Sequence, residues 1–245
     1  MAEAKIRLFV DHPLCPAQTV PLSRDQAHYL FGVMRQREGA KVLLFNGKDG
    51  EFLATIAEAD KRKGLLICEE RTRALELPPD IWILFAPLKK ARTDFLVEKV
   101  VELGAARLVP VQTEFTNAER IRDEKIRAHA VEAAEQCGAT YVPEAESLQK
   151  LGAVLDNWPA DRALIFCDEA LAGREHSLKI NPGPAAILIG PEGGFSPEER
   201  KKISSMPQAL PISLGPRILR AETAALAALT MWQSQVGDWY GDQDA

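Results

Sequence analysis

A chain of 245 residues, 46% hydrophobic and 27% charged, is long enough to bury one large core or two of ordinary size. Its net charge of −5 excludes indiscriminate binding to nucleic acid, which needs clustered cations. No apolar run approaches the roughly 20 residues that cross a bilayer, and residues 1–7 lack the basic-then-apolar order of a secretory signal, so the expected location is the cytoplasm, away from any membrane.

Cys15, Cys68, Cys137 and Cys167 form no Cys-x-x-Cys pair, and His12, His28, His129 and His176 are equally scattered. Neither a disulfide framework nor a metal site is expected; buried reduced thiols account for the cysteines. The charge is unevenly spread. Through Arg73 twelve basic residues face ten acidic ones, and beyond it eighteen face twenty-five, so the more basic part comes first.

Before Arg73 the chain reads as β-rich. Ile6-Arg7-Leu8-Phe9-Val10, Lys41-Val42-Leu43-Leu44-Phe45, Glu51-Phe52-Leu53-Ala54-Thr55-Ile56 and Gly64-Leu65-Leu66-Ile67-Cys68 are short runs of β-branched and aromatic residues, with a turn at Gly47-Lys48-Asp49-Gly50. Short strands joined by hairpins predict a small barrel. One helix interrupts them: Ser23-Arg24-Asp25-Gln26 is a capping box, and Ala27, Leu30, Phe31 and Met34 follow at helical spacing on the expected inner face. Arg24, His28 and Arg35 lie on the other face, which is either an ordinary solvated surface or an RNA contact.

Arg73-Ala74-Leu75-Glu76-Leu77-Pro78-Pro79-Asp80 reads as a linker, because consecutive prolines continue neither a helix nor a central strand. This predicts domains at 1–73 and 74–245. Beyond the linker, strands and helices alternate: a strand over 81–86, a helix capped by Thr93 with Leu96, Val97, Val100 and Val101 inward and Gly104 as its stop, and a strand at Leu108-Val109-Pro110-Val111. A long helix is expected from about Ala118 to Cys137, an extended piece at Tyr141-Val142-Pro143, a helix near 148–155 and a strand over 163–167. The class is α/β, with a mostly parallel sheet covered on both faces. The last helix, from Ala221 to about Val236, is so rich in Ala and Leu that it suggests burial against a partner.

Two stretches near the C-terminal end carry the functional signal. Ala185-Ala186-Ile187-Leu188-Ile189 runs into Gly190-Pro191-Glu192-Gly193-Gly194-Phe195, and Leu210-Pro211-Ile212-Ser213-Leu214 runs into Gly215-Pro216-Arg217-Ile218-Leu219-Arg220. Each is an apolar strand that breaks into a glycine/proline loop and then enters a helix. The first of these helices is announced by Ser196-Pro197-Glu198-Glu199, with Ser at the N-cap, Pro in the first turn and a capping box. Glycine loops at the carboxyl ends of buried strands bind small ligands in open α/β sheets. Neither loop has the Gly-x-Gly-x-x-Gly or Gly-Lys-Ser/Thr pattern of a phosphate binder.

Taken whole, 188–196 followed by 213–224 closely resembles the bacterial 16S rRNA (uracil-N3) methyltransferase family of the SPOUT superfamily. The resemblance continues in His28-Tyr29-Leu30 through Arg35, in Lys99-Val100-Val101-Glu102-Leu103-Gly104-Ala105 and in Glu132-Ala133-Ala134-Glu135-Gln136-Cys137-Gly138, and so spans nearly the full length. It implies an N-terminal PUA-like RNA-binding barrel and a C-terminal SPOUT domain with a trefoil knot, here about 185–236, in a homodimer that uses S-adenosylmethionine and no metal. Ile189, Gly190, Glu192, Gly193, Gly194, Leu214, Gly215, Ile218 and Leu219 are then the cofactor-binding positions, although the four aliphatics also suit a plain core. The chain departs from the family at Phe115 and Ala139, where arginines are usual.

Methyl transfer to uracil N3 requires alignment with the donor and stabilisation of the deprotonated base. Arg220 is the expected electrostatic stabiliser and Glu222 a proton acceptor or a partner that orients Arg220; an ordinary ion pair at the helix entry accounts for the two equally well. Glu98 and Glu102 are further acids, better explained by surface pairing. Arg24, Arg35, Lys89, Lys90 and Arg92 are the expected contacts to the phosphates of 16S rRNA in the small subunit, whereas Arg120, Arg122, Lys125 and Arg127 read as solvated charges on the long helix. The alternatives are a related methyltransferase acting on ribose 2′-oxygen or a tRNA base, and a non-catalytic RNA-binding assembly factor.

Overall fold

The computed structural model describes residues 4–117, 121–173 and 181–240. His176, the expected helix start at Ala118 with Arg120, and the end of the tail beyond residue 240 lie outside them. By contact the chain divides into two compact units, Met1–Leu77 with Ala134–Val142, and Pro78–Ala133 with Pro143–Ala245.

The first unit is a five-stranded mixed sheet. Its strands are β1 (Arg7–Phe9), β2 (Thr19–Pro21), β3 (Lys41–Phe45), β4 (Glu51–Asp60) and β5 (Lys63–Arg73), in the order β1-β3-β4-β5-β2. Only β1 and β3 pair in parallel. Val20, Leu30, Val42, Leu44, Ala54 and Leu66 are wholly enclosed in its core. The β3–β4 turn is built by side chains: Asn46 Oδ1 accepts from the amides of Lys48 and Asp49, and Asp49 Oδ2 accepts from Leu14 N–H at 2.9 Å and Asn46 Nδ2–H at 2.7 Å. Gly50 closes this turn at φ +89°, with the backbone of Arg73 to Leu75 against it, where a side chain has no room.

The capping box forms as its wording predicts: Ser23 Oγ accepts from Gln26 N–H, and Gln26 Oε1 accepts from Ser23 N–H. The helix α1 (Arg24–Ala27) then widens into a π-helical turn over His28–Val33, closed by Met34 N–H to Tyr29 C=O. Ala27, Leu30 and Phe31 face inward, but Met34 is 39% exposed. The extra residue in a π turn shifts the helical phase and carries Met34 off the buried face.

Residues 134–142 belong to the first unit because its polar groups satisfy the end of a helix. Arg7 donates to the carbonyls of Ala134 (2.6 Å), Glu135 (3.0 Å) and Ala139 (2.8 Å), and its Nε pairs with the buried Glu51 at 2.7 Å. Arg73 donates to Gly138 C=O, and Glu76 N–H donates to Thr140 Oγ1. These carbonyls are ones that a helix end leaves without an internal partner.

The second unit is a seven-stranded, all-parallel sheet: β6 (Ile81–Phe85), β7 (Arg107–Gln112), β8 (Glu144–Ala145), β9 (Gln149–Lys150), β10 (Ala163–Cys167), β11 (Ala185–Ile189) and β12 (Ala209–Ile212). The order is β12-β10-β11-β6-β7-β8, with β9 also on β7. Every residue of β11 is buried, which is why the run is apolar without alternation. The helices are α2 (Lys90–Glu102), α3 (Asp123–Cys137), α4 (Leu151–Asp156), α5 (Pro197–Ser204) and α6 (Ala221–Val236). Tyr141-Val142-Pro143 forms no strand.

Thr93 does not cap α2. The helix starts three residues earlier at Lys90, and the buried Thr93 Oγ1 reaches back to accept from Leu88 N–H at 2.9 Å. Leu96, Val97, Val100 and Val101 are buried as their spacing predicts, and Gly104 ends the helix at φ +83°. Helix α6 packs on α2 and β11; its Gln233, wholly enclosed, donates to Leu103 C=O at 2.7 Å and ties the two helices together.

The Asp49 carboxyl is held below its ordinary value of 3.8, first by Leu14 N–H and then by Asn46 Nδ2–H. A lowered folded pKa gives stability that is present above the ordinary carboxylate range and lost as the pH falls through the lowered value. Urea unfolding of the wild type and Asp49→Ala should therefore differ at pH 7, and the difference should shrink on acidification; a constant difference would show that the carboxylate charge contributes nothing.

Candidate functional site

Because β10 lies between β11 and β12 and all three run in parallel, their carboxyl ends open side by side. That arrangement joins the two glycine loops, and it inserts a third segment between them, Cys167 to Glu169 at the end of β10. Strand order is a tertiary fact, and no local pattern announces this third segment.

The first loop is wound around a buried phenylalanine. Phe195 stacks edge-on against Phe166 with centroids 5.1 Å apart, and its ring lies so close to Gly190 that an added Cβ would sit 2.6 Å from it. Gly194, at φ +71°, donates to Pro191 C=O. The chain then enters α5 through the expected capping box, with Ser196 and Glu199 exchanging hydrogen bonds at 2.9 and 3.3 Å.

Arg200, in the first turns of α5, joins the loops by charge. Its guanidinium pairs with both Asp168 and Glu169, and its Nε donates to Phe195 C=O at 3.1 Å. Partial burial pulls the Arg200 pKa below its ordinary value. In the sequence Arg200 looks like any solvated helix residue; only the adjacency of β10 and β11 gives it two carboxylates.

The three segments enclose a cavity of about 380 Å³. All nine positions assigned to cofactor binding line it: Ile189, Gly190, Glu192, Gly193, Gly194, Leu214, Gly215, Ile218 and Leu219. Plain core packing accounts for Ile189, which is 2% exposed, but not for Ile218, which is 77% exposed at the mouth. Cys167 also lines the cavity, and burial pushes its thiol up to about 12, so it stays protonated and is no nucleophile at neutral pH. Phe115 packs beside Gly193 at the same edge.

Arg220 lines the cavity, exposed, at the N-cap of α6. Its expected neighbour Glu222 turns elsewhere: Glu222 Oε1 lies 3.6 Å from Arg92 Nε, and its buried Oε2 has no hydrogen-bond partner. Arg92 also pairs with Glu192 of the first loop. Arg92, grouped by sequence with Lys89 and Lys90, is thus occupied by two glutamates. Glu102 pairs with Lys99 and Glu98 sits 3.3 Å from His129 Nδ1; neither lines this cavity. Arg24 and Arg35 are exposed in the first unit, apart from the glycine loops in sequence and in compact unit. Among the described residues no group of three or more His, Cys, Asp or Glu converges as metal ligands, and no helix is long and apolar enough to cross a membrane.

Residues 75–233 match the RNA methyltransferase domain family, and residues 22–67 match the RNA methyltransferase PUA domain. The chain belongs to this RNA methyltransferase family. The ribosomal RNA small subunit methyltransferase E of Buchnera aphidicola (subsp. Schizaphis graminum) is 31% identical over 95% of this chain and 97% of its own length. The Bacillus subtilis protein of the same name is 28% identical over 93% and 94%. Among solved structures, a Legionella pneumophila methyltransferase in complex with bound SAM superposes with a TM-score of 0.86, at 32% identity, covering 95% of this chain and 98% of that one. A Neisseria gonorrhoeae ribosomal RNA small subunit methyltransferase E bound to S-adenosyl methionine gives 0.83, at 28% identity, covering 96% and 99%.

Arg92 carries the electrostatics at the junction of the first loop and α6. Arg92→Ala leaves the half-buried Glu222, with its enclosed Oε2, without a cation, and a polar group stranded in this way costs about 1–3 kcal/mol. Urea denaturation should register that loss, with Arg92→Lys recovering part of it; unchanged stability would mean that the pairing contributes nothing.

Proposed function

We propose that this protein transfers a methyl group from S-adenosylmethionine to N3 of a uridine in the 16S RNA of the small ribosomal subunit. It works as a homodimer in the cytoplasm, with residues 1–73 as an RNA-binding barrel and 74–245 as a SPOUT catalytic domain whose knot spans about 185–236. The observation that carries this reading is the cavity at three adjacent strand ends, bounded by both glycine loops, in a chain whose full-length relatives include S-adenosylmethionine complexes.

The cavity fits that cofactor in shape and chemistry. Gly190, Gly193 and Gly194 let backbone amides approach a flat ligand, and Ile189, Leu214, Ile218 and Leu219 offer apolar surface to an adenine ring. The carboxylates of Asp168 and Glu169 line the same space and suit a cationic donor, while Arg200 holds them in place. The cofactor supplies a methyl group activated on a sulfonium.

The protein's own task is to present uracil as its N3 anion. Arg220, exposed at the cavity mouth with no ion pair among the described residues, donates to a uracil oxygen and stabilises the negative charge that follows loss of the N3 proton. Glu222, two residues on, lies against Arg92 and outside the lining of the cavity, so it fixes the entry of the helix that follows Arg220. With the N3 proton lost to solvent, N3 would accept the methyl group that the cofactor supplies.

Arg220→Ala should lower turnover by about 10²-fold or more, with S-adenosylmethionine affinity by calorimetry changed less than about twofold. Retained turnover removes Arg220 from the mechanism. Mass spectrometry of small-subunit RNA from cells with and without the protein should show one N3-methyluridine that depends on it; a ribose-methylated product, or failure to bind S-adenosylmethionine, overturns the reading.

A further inference from the structure

A second cavity, of about 490 Å³, adjoins the first, and Pro191 and Glu192 line both. Its size falls in the range of small-ligand sites, roughly 300–1,000 Å³. Its lining is the more basic of the two. Lys89, Lys90, Arg122 and Lys125 line it, and none of the four has an ion pair among the described residues. Two carboxylates also line it, and each is engaged: Asp94 lies 3.4 Å from His129 Nε2, and Glu192 pairs with Arg92.

The cations crowd one another. Lys125 is pulled below its ordinary value of 10.5, first by the charge on Lys90, although Asp94 opposes the shift. The N-terminus of α2 opens on the same wall with no side-chain cap at Lys89, which adds positive potential. Beneath the charges the floor is apolar, from Leu88, Val97 and Ile126, all buried. A cationic rim over an apolar floor suits an anion attached to a flat or apolar body.

We infer that this cavity binds a nucleotide of the single-stranded RNA segment beside the methylated base, its phosphodiester between α2 and α3 at Lys90, Arg122 and Lys125 and its sugar or base over the apolar floor. The inference rests on the proposed function, since the wall shared at Pro191 and Glu192 puts the occupant next to the methyl-accepting position. It assigns Arg122 and Lys125, which look in sequence like solvated helix charges, to the path of the substrate strand. A polymer is favoured over a free nucleotide because the site adjoins a second site for the same chain.

The test is the salt dependence of binding to a fluorescein-labelled, single-stranded 15-nucleotide RNA of the sequence around the modified uridine. Each phosphate contact on single-stranded nucleic acid contributes about 0.7 to the slope of log K against log salt. Arg122→Ala/Lys125→Ala should weaken binding about tenfold or more at low salt and reduce the slope by about 1.4. Lys201→Ala, which removes a charge from neither cavity, should change neither quantity. Calorimetry with S-adenosylmethionine should give the same affinity for all three proteins, which also shows that the variants are folded. An unchanged slope in the double variant, with cofactor binding and methylation intact in the wild type, overturns this inference alone; absence of cofactor binding in the wild type overturns the function instead. Displacement of the RNA by micromolar uridine 5′-monophosphate would also overturn it, in favour of a free-nucleotide site.

Discussion

Parallel pairing of β10 with both β11 and β12 is the constraint on which the site depends. An all-parallel sheet turns every strand's carboxyl end to one edge, and this order makes the three relevant ends neighbours. Two loops separated by about twenty residues in the chain thereby become two walls of one cavity, with Cys167 to Glu169 as the third. The apolar character of β10 and β11 follows from the same arrangement: both are interior strands and almost wholly buried, whereas β12, at the sheet edge, is only partly covered.

On this scaffold, charge is distributed by two arginines that do not belong to the glycine loops. Arg200 pairs with Asp168 and Glu169 on one side of the cavity and leaves them a net negative charge, and Arg92 ties Glu192 to Glu222. Glu192 in the shared wall is paired with Arg92, and the wall lies between a cavity lined by the glycine loops and one edged by lysine and arginine.

The parts of the fold that local rules control were legible in the chain. The capping boxes at Ser23 and Ser196 form because both partners lie three residues apart, and α6 runs over the residues its composition marked. The nine positions carried by the family resemblance meet around one cavity. What escaped reading depends on groups distant in sequence or on subtle changes of phase. Thr93 was a reasonable cap by type, yet its hydroxyl serves Leu88 within the first turn. Met34 leaves the buried face because the helix widens to π geometry, and Glu222 turns to Arg92, 130 positions away, in preference to Arg220. Arg122 and Lys125 stood out only as members of a basic cluster that reads as solvated, because such a cluster looks the same in sequence whether it borders solvent or a cavity.

The grip of Arg7 on the carbonyls of Ala134, Glu135 and Ala139 makes the first unit discontinuous along the chain. A gene fragment ending at the proline linker would encode all five strands but none of those acceptors. Arg7 would keep Glu51 as its partner and lose three carbonyls, beside a surface that the helix end normally covers. The five-stranded unit is therefore not a detachable module that could be recombined freely with other domains. Exchange between relatives at that linker has to carry the residue at position 7 and the segment at 134–142 together, and this couples the inheritance of two stretches that lie more than a hundred residues apart.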